Sequence, residues 1–165
     1  MYKKLNLIKT AALGLLLSGC IGSMPSYTSS KETMIVFKTP TMSYADQGFV
    51  SLASDETKVE IYSSGQSVMR LRITPSQVCL SSLECLNKKE FNAKVLNPNY
   101  PEDTIERIFR GEPIFNGEGL VQRDHSFSQR IQKENMDIRY NRSPRRISFV
   151  DSASNVKIKV ILTGK

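Results

Sequence analysis

The stretch KVEIYSSGQSVMRLRI, residues 58–73, decides the fold class. Charge and apolar side chain alternate through Lys58-Val59-Glu60-Ile61, and Met69-Arg70-Leu71-Arg72-Ile73 repeats the pattern. Successive side chains of a strand point to opposite faces, so this alternation marks β-structure with one wet face and one apolar face. Between the two runs lies SSGQ, and its Gly65 suits the backbone of a tight hairpin.

Outward from the hairpin the same alternation recurs in Met136-Asp137-Ile138-Arg139-Tyr140, in Ile147-Ser148-Phe149 and in Val156-Lys157-Ile158-Lys159-Val160. Turn-forming clusters separate the runs: Ser54-Asp55-Glu56, Asn141 to Pro144, and Asp151 to Asn155. A sheet that is wet on one side is an antiparallel meander, since parallel sheets are buried on both faces. The middle of the chain changes period. In KKEFNAKVL, residues 88–96, Phe91 and Val95 stand four apart, which predicts a short helix. A second helix is predicted over Pro101 to Arg110. Pro101 and the acids Glu102 and Asp103 suit its first turn, Ile105, Ile108 and Phe109 form its stripe, and Gly111 stops it.

The expected fold is mainly β: a strongly curved antiparallel sheet, an unclosed half-barrel, with two short helices covering its apolar concave face. About five strands precede the helices and four or five follow them. The side chains expected to point inward are Ile61, Met69, Leu71, Ile73, Ile105, Phe109, Phe115, Met136, Ile138, Tyr140, Phe149, Ile158 and Val160. Such a set serves either a solid core or a cavity for an apolar ligand, and the alternation is the same for both.

The first 20 residues carry a different message. MYKKLNLIK has three lysines and no acid, and Ala11 to Leu17 is an apolar run broken only by Gly14. That run is far short of the roughly 20 residues a membrane-spanning helix needs, so it matches a secretory signal. Leu17-Ser18-Gly19-Cys20 resembles the lipobox of bacterial lipoproteins, which implies acylation of Cys20 and removal of residues 1–19. The formal charge then falls from +7 to +4. Residues 20–32 read as lipid anchor and flexible tether, with four serines in IGSMPSYTSSKE, and reach some 40 Å at about 3.3–3.6 Å per residue. Residues 33–165 form a single domain.

With Cys20 assigned to lipid, Cys79 and Cys85 remain as an even pair around LSSLE. In an exported protein such a pair is a disulfide that pins a turn, in preference to a redox or metal pair. His125 is the single histidine, so a zinc site lacks ligands, and no cofactor is implied. His125 follows Asp124 in QRDHSF without a nucleophile elbow, which points away from an enzyme and leaves no catalytic residue. Arg139, Arg142, Arg145 and Arg146 make RYNRSPRR basic; anionic headgroups or an acidic carrier suit it, and nucleic acid does not suit an exported chain.

The order of elements over roughly residues 42–163 resembles the LolA/LolB family of lipoprotein carriers and receptors, most closely the outer-membrane receptor LolB. The hairpin KVEIYSSGQSVMRLRI followed by QVCL, the helix PEDTIERIFRGEP with Gly111 and Pro113 at its end, and the closing pair SPRRISFVDSASNVKIKVIL carry the likeness. Two positions depart from it. Ser64 stands where the family has an exposed apolar residue, and Ile108 where it often has Trp.

The resemblance implies an outer-membrane lipoprotein, monomeric and facing the periplasm. It would accept acylated lipoprotein cargo from a LolA-like periplasmic carrier and insert it among outer-membrane phospholipids. In enteric bacteria an Asp after the lipidated Cys retains a lipoprotein in the inner membrane; Ile21 in that place points to the outer one. The alternative is a structural outer-membrane lipoprotein that serves as an envelope assembly or interaction subunit. Replacing Cys20→Ala should abolish processing and release the protein from the membrane fraction. Unchanged processing and fractionation would contradict the lipobox.

Overall fold

A computed structural model describes residues 25–81 and 83–164. The expected signal segment 1–19, Cys20 and residues 21–24 lie outside the described residues. The hairpin of residues 58–73 forms with Val59 opposite Leu71 and Ile61 opposite Met69, so its apolar side chains share one face. Ser64 and Gly65 both take positive φ, 51° and 79°, which is the two-residue turn matched to the twist of antiparallel strands. A bulge between Ile61 and Tyr62 shifts the register just before that turn.

In chain order the strands are β1 (Ser29–Lys38), β2 (Ser43–Leu52), β3 (Thr57–Ser63), β4 (Gln66–Ile73), β5 (Gln77–Cys79) and β6 (Cys85–Asn87). The helices α1 (Lys88–Val95) and α2 (Thr104–Arg110) follow, then a 3-10 turn at Phe115–Gly117. The chain ends with β7 (Leu120–Arg123), β8 (Ser126–Lys133), β9 (Met136–Ser143), β10 (Arg146–Asp151) and β11 (Val156–Leu162). All eleven strands form one antiparallel sheet in the order β6-β5-β4-β3-β2-β1-β11-β10-β9-β8-β7. The sheet does not close, and β6 and β7 are its edges.

Two meanders therefore meet where β1 pairs with β11, from Thr33 opposite Leu162 to Lys38 opposite Lys157. The registers stack apolar side chains in rows across that junction. Phe37, Ile158, Phe149 and Tyr140 run across β1, β11, β10 and β9, and each is fully buried. Burying a side chain of this size contributes about 1.5–3 kcal/mol.

Asn87 caps α1, its side-chain oxygen accepting from the Glu90 N–H at 2.8 Å, an arrangement worth about 1 kcal/mol. Helix α2 begins at Thr104, three residues later than its sequence suggests, because Pro101–Asp103 forms a turn in which the Thr104 N–H donates to the Pro101 carbonyl. It stops at Gly111, whose φ of 68° lets the Glu112 N–H return to the Arg107 carbonyl at 2.9 Å. Ile105, Ile108 and Phe109 are buried in the same cluster as the strand residues, and the Phe109 ring stacks on Phe37 with centroids 6.5 Å apart.

Four of the residues expected in a tether are strand instead. Ser29–Glu32 belong to β1 and pair with Phe49–Leu52 of β2. The Thr28 N–H donates to the Leu52 carbonyl, and Tyr27 donates to Glu56. Serine-rich composition alone misplaced this boundary: β1 opens with polar residues and turns apolar only at Met34.

Ile105→Asp should cost about 3–5 kcal/mol in a denaturant titration, because it leaves an unpaired carboxylate under α2. An unchanged unfolding midpoint would mean that α2 does not pack on the sheet.

Candidate functional site

The twelve side chains Ile61, Met69, Leu71, Ile73, Ile105, Phe109, Phe115, Ile138, Tyr140, Phe149, Ile158 and Val160, with Met136, fall into one cluster. All are buried, the most exposed being Phe115 at 8%. The side chains expected to point inward pack against one another in this cluster. Sequence reasoning missed other members: Ile35 and Phe37 of β1, Val50 of β2, Phe91 of α1, Tyr100, Ile114, Phe127 and Ile131. For Ile35 and Phe37 a signal existed in the run Met34-Ile35-Val36-Phe37, which has the composition of a buried strand.

One opening reaches this cluster beneath the C-terminal end of α2. It is a notch of about 100 Å³ with Val50, Leu52, Phe109, Ile147, Val160 and Leu162 on its walls. Lys31, Arg110, Arg142, Arg145 and Arg146 line it too, as do Ser29, Thr33 and Ser143. Ligand pockets run to about 300–1,000 Å³, so the notch admits the end of an apolar chain and no more. The fold puts these parts together for local reasons. Gly111 lets the chain turn where the stem of Arg142 and the methyl of Ile147 press against it, each 3.4 Å from where a Cβ would stand.

Besides its buried stripe of Ile105, Ile108 and Phe109, helix α2 is fastened over the notch by polar contacts. The Arg110 guanidinium donates to the Ala53 carbonyl at 2.9 Å and to Glu106 at 3.2 Å. Glu106 also receives the Lys88 ammonium at 2.7 Å, and the Lys88 side chain is 7% exposed. Removing one partner of a pair this buried leaves an uncompensated charge, which costs far more than the pair itself contributes. Within the apolar cluster the Tyr140 hydroxyl is buried with no hydrogen-bond partner among the described residues, and burial raises its pKa well above the usual tyrosine value.

At the other rim of the sheet Glu56 accepts from Arg72 at 2.7 Å and from Tyr27. The Arg72 hydrogen bond holds the Glu56 carboxyl below its ordinary pKa. Desolvation first, and the bond to Glu56 second, push the Tyr27 hydroxyl up to about 12. This triad fastens the run before β1 to the β2–β3 turn.

Cys79 and Cys85 stand directly opposite each other across β5 and β6, with their sulfurs 2.00 Å apart. His125 lies exposed in the β7–β8 turn, where its carbonyl accepts from Arg142 at 2.8 Å. Ser64 is exposed at the tip of the β3–β4 hairpin. Among the described residues no group of three His, Cys, Asp or Glu side chains is placed to hold a metal, and no helix is long and apolar enough to cross a membrane. No protein-family model and no curated protein matches the sequence.

Proposed function

We propose that this chain is an outer-membrane lipoprotein that takes acylated lipoproteins from a soluble periplasmic carrier and passes them to the membrane. The observation that carries this reading is the notch under α2, which apolar and cationic side chains line together. An acyl chain bearing an anionic neighbour matches that pairing of surfaces. In this reading the sheet is the LolA/LolB-like half-barrel of the resemblance, with α1 and α2 covering a concave face. Acylated Cys20 keeps the domain beside its target membrane, and the Cys79–Cys85 pair is oxidised and pins the β5–β6 turn.

The notch is too small for a whole acyl chain, so acceptance requires α2 to move. The contacts that hold it suit such a motion. Arg110 and the Ala53 carbonyl can exchange each other for water, and the acyl chain would take the place of Ile105, Ile108 and Phe109 against the sheet, whereas the β1–β11 ladder cannot open without breaking the sheet. Transfer then needs no covalent step. It runs downhill if the receptor shelters acyl chains better than the carrier does and the bilayer better still, at about 0.8 kcal/mol per buried methylene.

The filled face favours a second reading, a structural envelope lipoprotein whose apolar residues are core and nothing else. A fluorescent diacylated lipopeptide separates the two. The purified full-length chain should bind it saturably, and Leu162→Arg, at the half-buried edge of the notch, should weaken binding about tenfold with little change in melting temperature. Absence of saturable binding by the unaltered chain would leave the structural reading standing.

A further inference from the structure

The C-terminal meander carries a second feature, on the face its aromatic rows leave free. Strands alternate, so where Phe127, Tyr140 and Phe149 point into the core, Ser128, Asn141 and Ser148 point the other way. The register sets them side by side: Ser128 opposite Asn141, and Asn141 opposite Ser148. Next to that row Arg123 lies opposite Ser126, and Arg146 opposite Ser143. A cleft of about 590 Å³ runs along these strands, and Arg123, Arg142 and Arg146 all line it. Among the described residues no carboxylate lines it.

The charge there is unbalanced. Among the described residues none of the three arginines forms a salt bridge, although nine other pairs do. Only Arg142 spends a donor, on the His125 carbonyl. Three like charges in one cleft repel each other unless an anion sits among them. Guanidinium forks and hydroxyl donors together suit a tetrahedral oxyanion with several acceptor oxygens; a carboxylate, with two, would satisfy fewer of them.

We propose that this cleft binds a phosphate group. The same chemistry is offered by free phosphate and by the phosphodiester of a phospholipid headgroup. The proposal does not rest on the acceptor reading: Arg142 and Arg146 also line the notch, but Arg123 and the row Ser128, Asn141 and Ser148 do not, and failure to bind a lipopeptide would leave phosphate binding there untouched.

The test uses the purified full-length chain, carrying Cys20→Ala throughout so that no lipid anchor drives sedimentation, with inorganic phosphate in calorimetry and with vesicles of phosphatidylglycerol or phosphatidylcholine in co-sedimentation. Arg123→Gln and Arg146→Gln are the variants, both at exposed positions, and Lys94→Gln on α1 is the charge-matched control. Phosphate should bind saturably, about tenfold more weakly in each arginine variant and unchanged in the control. If the arginine variants also lose binding to phosphatidylglycerol vesicles while the control keeps it, the headgroup is the source. If vesicle binding is equal in all variants, the source is free phosphate. Absence of saturable phosphate binding, or an equal loss in Lys94→Gln, would overturn the proposal.

Discussion

Everything in this molecule depends on strand β1 lying between β2 and β11. Without that pairing there are two separate meanders, each with an apolar face and a bare edge. With it, Ile35 meets Val160 and Phe37 meets Ile158, and the two apolar faces become one. The partners lie at opposite ends of the described chain, so closing them is entropically costly. That cost grows only slowly with separation, by about 0.6 kcal/mol for each doubling of the loop. Full burial of two large side chains on β1 readily offsets that increment. The same pairing explains why residues just before the domain are ordered: Tyr27 and Thr28 are fastened to the β2–β3 turn because β1 must enter the sheet at a fixed register.

The long connection between the meanders is held down by buried polar side chains. Asn92 donates to the carbonyls of Tyr100 and Pro101, and Tyr100 donates to Asp151 at 2.6 Å. Gln129 both accepts from the Ile114 N–H and donates to the Ile114 and Glu118 carbonyls. Asn97 reaches the Asn135 carbonyl and Ser154. Each satisfies backbone groups that would otherwise be buried without partners. Against these fixed points α2 stands out, seven residues long and latched by Glu106 and Arg110.

Much of this was legible in the sequence, and the reasons are physical. The hairpin of residues 58–73 and the strands β9 to β11 alternate because one face is wet, and that alternation survives translation into a pattern of letters. The apolar stripe of α2 survived for the same reason, with Gly111 marking its end. The first half of β1 and the middle of β2 were not legible, because Ser-Ser-Lys-Glu and Ala-Asp-Gln-Gly lack strand-forming residues; tertiary pairing overrides their local preference. Whether the apolar face is hollow could not be read at all, since packing depends on side chains that are distant in sequence. The cleft of three arginines was hidden likewise. Its serines looked like turn and edge residues until the register set them in a row.

The account's central claim is a rigid sheet joined at β1–β11 with a helix that yields over its apolar face. Amide hydrogen exchange of the full-length chain, with and without a diacylated lipopeptide, measures both halves of it directly. The account predicts that exchange quickens across residues 104–111 when the lipopeptide is present, while residues 33–38 and 157–162 keep their protection. Bound lipopeptide with α2 unchanged, or loss of protection in the β1–β11 ladder, would contradict it.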